Sequence, residues 1–238
     1  MENVFLSSFA AGSVQTLIGH PFDTIKTRMQ IYNHSYKNSI INIYKKEGLK
    51  SYYKGYFTPL IAGCIQNGIL FSTEKYSQSY FKNNYLTGFI SGSCSSIVLT
   101  PAELIKCHIQ KETTKVITIK QVLKKIKKKN ITLFTGFNST FIRDSIGMSI
   151  YFGSYNNLQN KNNNPLLHGG FAGVLSWIFS YPFDVIKTKK QMTNNSYSYI
   201  INNIHPKQYL RGIEIVLIRS FLVNAGIFYT YENLLKIF

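Results

Sequence analysis

The sequence predicts an all-α membrane protein. Six transmembrane helices are expected, in three pseudo-threefold repeats, with a short amphipathic helix on one side of the membrane in each repeat. Three observations predict this. First, six long windows carry almost no charge: residues 3–19, 55–73, 83–102, 145–160, 162–183 and 220–231, broken only by His168. Each window with its flanks approaches the ~20 residues a helix needs to cross the hydrocarbon core. Second, one short motif returns three times at a spacing of 80 and 81 residues. Third, the connectors following the first and third windows carry basic, amphipathic segments.

The windows do not suit the helices of a soluble bundle, which would show charged outer faces every few residues. A cleaved leader does not suit the first window either, because no basic stretch precedes it and its pattern recurs five more times. Between windows one and two, Ile40 to Tyr44 precede Lys45 and Lys46. Between windows three and four, Ile119, Val122, Leu123 and Ile126 recur at helical spacing among Lys120, Lys124, Lys125, Lys127, Lys128 and Lys129. That pattern is an interfacial helix, with a solvated loop as the alternative. The third connector, Ser196 to Pro206, is rich in Tyr, Ile and Asn but is not basic.

Composition narrows the functional classes. The 238 residues carry 27 Lys+Arg against 10 Asp+Glu, a formal net charge of +17, with 23 Lys and only 4 Arg. Ile occurs 30 times, Asn 21 times and Ala 6 times, a skew that follows A/T-rich codons. Taken alone, +17 suggests nucleic acid, an anionic membrane or an anionic solute. A basic nucleic-acid-binding protein is therefore the alternative reading. It would need a basic stripe on a soluble fold, and it leaves the charge-free windows unexplained. A mean hydropathy of −0.05 averages apolar spans with polar connectors. Cys64, Cys94 and Cys107 lack metal-ligand spacing, and no catalytic constellation stands out. Neither a cofactor nor an enzymatic activity is expected.

The recurring motif is Pro21-Phe22-Asp23-Thr24-Ile25-Lys26, Pro101-Ala102-Glu103-Leu104-Ile105-Lys106 and Pro182-Phe183-Asp184-Val185-Ile186-Lys187. The chain is one domain, 1–238, of three units, 1–81, 82–162 and 163–238. Gly12, Gly92 and Gly173 stand nine residues before each proline, preceded by Ser8, Gly88 and Gly169, a small-xxx-small pattern that lets helices approach closely. A second glycine recurs at Gly55, Gly136 and Gly212, with Phe71, Phe152 and Phe228 sixteen residues on. Proline inside a helix removes a donor and crowds the preceding turn, so the odd-numbered spans are expected to kink at Pro21, Pro101 and Pro182. Asp23, Glu103 and Asp184 can pair within their own helix at i,i+3 with Lys26, Lys106 and Lys187. Around a threefold axis each carboxylate can instead reach the lysine of the next repeat, closing one end of a central path. Charge at membrane depth is costly, which favours a functional role.

These residues resemble the mitochondrial carrier family, whose repeated signature is Pro-x-[Asp/Glu]-x-x-[Lys/Arg]. Glu47-Gly48 and Tyr53-Lys54-Gly55 resemble its extension. The resemblance covers the whole chain. It implies six tilted helices, three matrix-side helices, cardiolipin between repeats, one central substrate site and alternating access in the mitochondrial inner membrane, with the motif ion pairs as a matrix gate. A small-molecule substrate and membrane lipid would be the partners, without nucleic acid, and the carrier would act as a monomer. The family's cytoplasmic motif is degraded: its acidic positions are Lys75, Asn156 and Glu232, and its basic positions Gln78, Gln159 and Leu235. A weak cytoplasmic gate follows. The short length and A/T-biased composition suit a giant DNA virus, the carrier then serving a host mitochondrion, or a compact parasite genome.

Alignment on the aromatic positions places the family's substrate contacts at Ala62-Gly63, Arg143-Asp144 and Arg219-Ser220. In a Lys-rich chain, two of four arginines at these points suggest a planar grip on carboxylate or phosphate. The alternative is that Arg143 neutralises Asp144 and Arg219 pairs with Glu214 or Glu232. The Arg-Asp pair resembles carriers of carnitine and amino acids, whereas a positive cavity favours an anionic nucleotide. Both substrates stay open at this level.

Overall fold

The computed structural model describes residues 2–32, 35–111, 118–159, 165–193 and 195–223, apart from the side chains of residues 2–15, 64, 67, 71, 165 and 166. All regular structure among them is helical. The long helices are α1 (Glu2–Tyr32), α3 (Phe57–Gln78), α4 (Asn84–Lys111), α6 (Phe137–Gln159) and α7 (Pro165–Thr193). A last helix, α9, runs from 213 to the end of the described residues at 223. Short helices α2 (Tyr36–Glu47), α5 (Ile119–Lys128) and α8 (Tyr197–Asn203) follow α1, α4 and α7. Long, short, long thus repeats three times. Among the described residues one helix, α4, is long and apolar enough by composition to cross a membrane. That narrows the expectation of six apolar spans. Helices such as α6 fall short because Asn138, Ser139, Thr140, Arg143, Asp144 and Ser145 share the span with its apolar residues.

Burial is inverted relative to a water-soluble bundle. On α4, Ser91, Ser95, Ser96 and Thr100 are fully buried while Phe89 and Ile97 are exposed. Likewise Ser180 of α7 is buried while Phe171 and Phe179 face outward, and Phe221 of α9 is 76% exposed. A hydrocarbon solvent reverses the usual driving force, so polar groups turn inward and find partners there. Many bond a carbonyl one turn back, as Thr100 does to Ser96 at 2.7 Å and Ser180 to Ser176 at 2.7 Å. Others bridge helices: the Ser93 and Ser145 hydroxyls lie 2.8 Å apart, and Ser176 donates to the Gly147 carbonyl at 2.7 Å.

The small-xxx-small pattern does its expected work in the second repeat. A Cβ at Gly92 would strike the Asp144 carbonyl, and one at Gly88 would strike that of Met148, so α4 and α6 touch backbone to backbone. No such approach is described at Gly169 or Gly173. The burial of Ser8 and Gly12 lies outside the described residues.

The short helices α2 and α5 pack apolar residues under their neighbours, and α8 buries Ile200. Ser35, Thr118 and Ser196 cap α2, α5 and α8, Thr118 in a reciprocal capping box with Gln121. Ile43 joins Ile25, Met29 and Ile215, whereas Val122 and Ile126 join Leu104 and Ile109. The lysines of α5 stay exposed. Gly55, Gly136 and Gly212 have φ of 79°, 90° and 87°. That left-handed backbone, strained for any residue with a Cβ, turns the chain into α3, α6 and α9. It also brings each turn against the next repeat: Gly55 meets Ile109, Gly136 meets Gln191, and Gly212 lies near Lys26 and Met29 as well as Tyr181.

Candidate functional site: a ring of ion pairs across three repeats

Pro21, Pro101 and Pro182 all lie inside continuous helices. Proline lacks an amide hydrogen, so the carbonyls of Leu17, Ile97 and Ile178, one turn back, lose their intrahelical partner. One turn beyond each proline, the acid–lysine pairs converge on the same end of the bundle as α2, α5 and α8. Asp23 takes Lys106 at 2.6 Å, Glu103 takes Lys187 at 2.8 Å, and Asp184 takes Lys26 at 2.8 Å. Each carboxylate therefore holds the lysine of the following repeat, and the third closes back onto the first. The intrahelical pairing survives only as a longer contact, Lys187 to Asp184 at 3.5 Å.

Three buried glutamines lie at this end of the bundle, two of them hydrogen-bonded across helices, and sequence reasoning missed them. Gln30 donates to Asp184 at 3.1 Å, and Gln110 to the Thr24 hydroxyl at 3.0 Å. Gln191, fully buried, lies against Gly136. All three stand nine residues after a motif proline, so the repeat register held the signal. One ring lysine has aromatic support: the Lys26 ammonium lies 4.7 Å from the Trp177 ring centre and 5.4 Å from that of Tyr181. Gln30 also approaches the Tyr181 hydroxyl, at 3.4 Å. The residue before the proline ties its helix to the glycine turn in two repeats. The His20 Nε2 lies 2.8 Å from the Lys54 carbonyl, and the Tyr181 hydroxyl donates to that of Arg211 at 2.6 Å. Glu47 gathers Arg28 at 3.0 Å and Lys54 at 2.7 Å, fastening α2 to α1.

The arginines of α6 and α9 lie directly on the ring. Arg143 is buried on α6; its Nε and Nη2 grip Asp144 Oδ1 at 2.8 and 2.6 Å. Its Nη1 reaches Glu103 at 2.9 Å and Asp184 at 3.1 Å. The Arg219 Nε of α9 stands 2.8 Å from Asp23 in ion-pair contact, its guanidinium packed on Gly19. Arg143 thus does neutralise Asp144, but also two ring acids. Among the described residues Arg219 pairs with Asp23 and not with Glu214, while Glu232 lies outside them. The reason is tertiary, because α9 packs beside α1. Asp144 Oδ2 is buried without a hydrogen-bond partner among the described residues. Ser220 spends its hydroxyl on the Val216 carbonyl at 2.8 Å. Ala62 is buried, and a Cβ at Gly63 would meet no described atom within 4 Å. Five cations, Lys26, Lys106, Lys187, Arg143 and Arg219, face four carboxylates, Asp23, Glu103, Asp184 and Asp144, so the cluster carries one net positive charge.

At the other end, Lys75 is exposed and Asn156 half-buried. Glu232, Leu235, Phe228, Tyr229 and Tyr231 lie outside the described residues. Gln78 donates to Glu74 on its own helix. Tyr151 and Tyr155 stack at 6.3 Å. Among the described residues no group of His, Cys, Asp and Glu is placed to hold a metal ion.

A helical protein with polar groups inside, apolar residues outside and a charge ring stitched across tandem repeats is a membrane transport protein. The chain belongs to the mitochondrial carrier family: the family model described as mitochondrial carrier protein matches residues 2–85, 77–164 and 159–238. Among its relatives, a glutamate/glycine mitochondrial carrier of Schizosaccharomyces pombe is 29% identical, covering 96% of this chain and 92% of that protein. A mitochondrial arginine transporter of Arabidopsis thaliana is 28% identical over 98% and 90%. A mitochondrial ornithine transporter of Saccharomyces cerevisiae is 28% identical over 94% and 91%. The nucleic-acid alternative finds no support in this membership.

Proposed function

We propose that the protein exchanges an amino-acid-like zwitterion across the mitochondrial inner membrane, from one central site, by alternating access. The observation that carries the substrate class is the pairing on α6. Arg143 presents a guanidinium fork suited to a carboxylate, and the adjacent Asp144 keeps one buried oxygen without a partner among the described residues, suited to an ammonium. Arg219 supplies a second carboxylate-binding fork across the bundle. A net cluster charge of one suits a substrate with one carboxylate better than a nucleotide polyphosphate, which would bring several more negative charges. Relatives named for arginine, ornithine and glutamate/glycine transport support the same class.

In the mechanism, the ring of Asp23–Lys106, Glu103–Lys187 and Asp184–Lys26 closes the matrix side while the site is reached from the cytoplasm. Passage requires these three pairs to separate. The exposed Lys75 and the neutral Asn156 leave the opposite gate weakly charged, so the cytoplasm-closed state is the less firmly held. The lysine face of α5 meets the matrix leaflet, where anionic cardiolipin would offset its charge.

The test is uptake of labelled ornithine, arginine, glutamate, glycine, carnitine and ADP into cardiolipin-containing liposomes, each preloaded with the same solute or left empty. Amino-acid exchange is expected. Uptake confined to the nucleotide would overturn the substrate reading, and uptake of nothing at all would overturn the transport assignment.

A further inference from the structure

We infer that Arg143 and Arg219 are locks on the ring in the empty carrier, and that the substrate's carboxylate releases them. This deepens the reading that the site takes a zwitterion and rests on it. A ring of three lysines and three carboxylates would be complete in itself. Here every ring carboxylate also holds an arginine from α6 or α9: Asp23 holds Arg219, and Glu103 and Asp184 share the Arg143 Nη1. That single nitrogen joins α4 to α7, so it bridges the second and third repeats. Arg219, from the third repeat, bridges to the first. Both contacts must break when the ring opens, although neither arginine belongs to the proline motif.

The groups that would read the substrate's carboxylate are therefore occupied by the gate's own carboxylates. An arriving carboxylate exchanges one anion for another at each guanidinium, without leaving a buried arginine unpaired. A cation without a carboxylate offers no such exchange. It can meet Asp144 yet leaves both arginines on the ring. Specificity and opening then depend on the same two side chains: a substrate must carry the anion that replaces Asp23, or Glu103 and Asp184.

Cys107 reports on this. It directly follows Lys106, is 5% exposed, and has Lys187 and Glu103 among its charged neighbours. With Cys64→Ala and Cys94→Ser, it is the only thiol in the chain. The carrier is placed in cardiolipin liposomes without substrate and labelled from the ring side with a membrane-impermeant maleimide. Arg219→Gln and Arg143→Gln are expected to label about tenfold faster or more, the effect of losing one charge-assisted contact. Arg→Lys at either site should restore protection in part. Labelling of both Gln variants at the parent rate overturns the lock. The second arm needs no arginine substitution. Ornithine should accelerate labelling of the parent carrier, and putrescine, its decarboxylated counterpart, should not. Equal acceleration by the two overturns the role of the carboxylate. If no amino acid is transported at all, the empty-carrier arm still decides the lock, so that failure stays distinct from failure of the substrate reading.

Discussion

Lys187 offers a choice of partners that a measurement can resolve. It stands 2.8 Å from Glu103 in the neighbouring repeat and 3.5 Å from Asp184 on its own helix, with 4% of its side chain exposed. At an effective dielectric constant of about 20, the gross attractions are about 6 and 5 kcal/mol. Most of each is offset by desolvation of the two ions. What remains for a well-formed charged hydrogen bond is about 1.5–3 kcal/mol, or roughly 10- to 150-fold in the opening equilibrium. The 3.5 Å contact lies beyond good hydrogen-bond geometry and should keep less than about 1 kcal/mol. Two double-mutant cycles separate them, one with Lys187→Ala and Glu103→Ala, the other with Lys187→Ala and Asp184→Ala. Both are read on unfolding of the empty carrier in detergent and on exchange rate in liposomes. The single Lys187→Ala variant should insert normally and exchange poorly. A Glu103–Lys187 coupling below about 0.5 kcal/mol, the scatter of independent sites, would refute the inter-repeat ring, as would wild-type exchange in Lys187→Ala.

Further outcomes concern packing and the short helices. Gly92→Val places a branched side chain on the Asp144 carbonyl. It should cost about 1–3 kcal/mol of stability by overpacking, and exchange should fall about 100-fold because Asp144 is displaced by about 1 Å. Gly170→Ala, whose Cβ meets nothing within 4 Å, should match the parent in both thermal unfolding and transport. Glu47→Gln leaves Arg28 and Lys54 without their shared carboxylate in a site where its side chain is 3% exposed. A loss of about 3 kcal/mol is expected, read as a lowered unfolding temperature with the apparent affinity for substrate unchanged.

Much of this architecture was legible in the residues. The 80- and 81-residue spacing of the prolines shows three units, and a charged pair repeated in threes needs a common centre. The glycines at 55, 136 and 212 were visible in register, and their left-handed backbone showed them to be turns. The glutamines at 30, 110 and 191 were equally visible in register and were passed over, since a lone polar residue near a helix end has many ordinary explanations. The arginines were found, and so was Asp144 as a partner of Arg143, but their pairing with the ring acids was not. A side chain at a substrate-contact position reads as free for substrate until the neighbouring helix is in place.

The sequence by itself determined the repeats, the helical character and the identity of the charged residues, because these follow from local spacing and composition. Only the tertiary structure decided which ions meet. Lys187 could pair within its helix or across the repeat boundary, and Arg219 had three acids to choose from. The choice depends on how closely α7 approaches α4 and on α9 lying beside α1. Those distances are set by packing between segments far apart in the chain, and at 3 Å a shift of one ångström changes which pair forms.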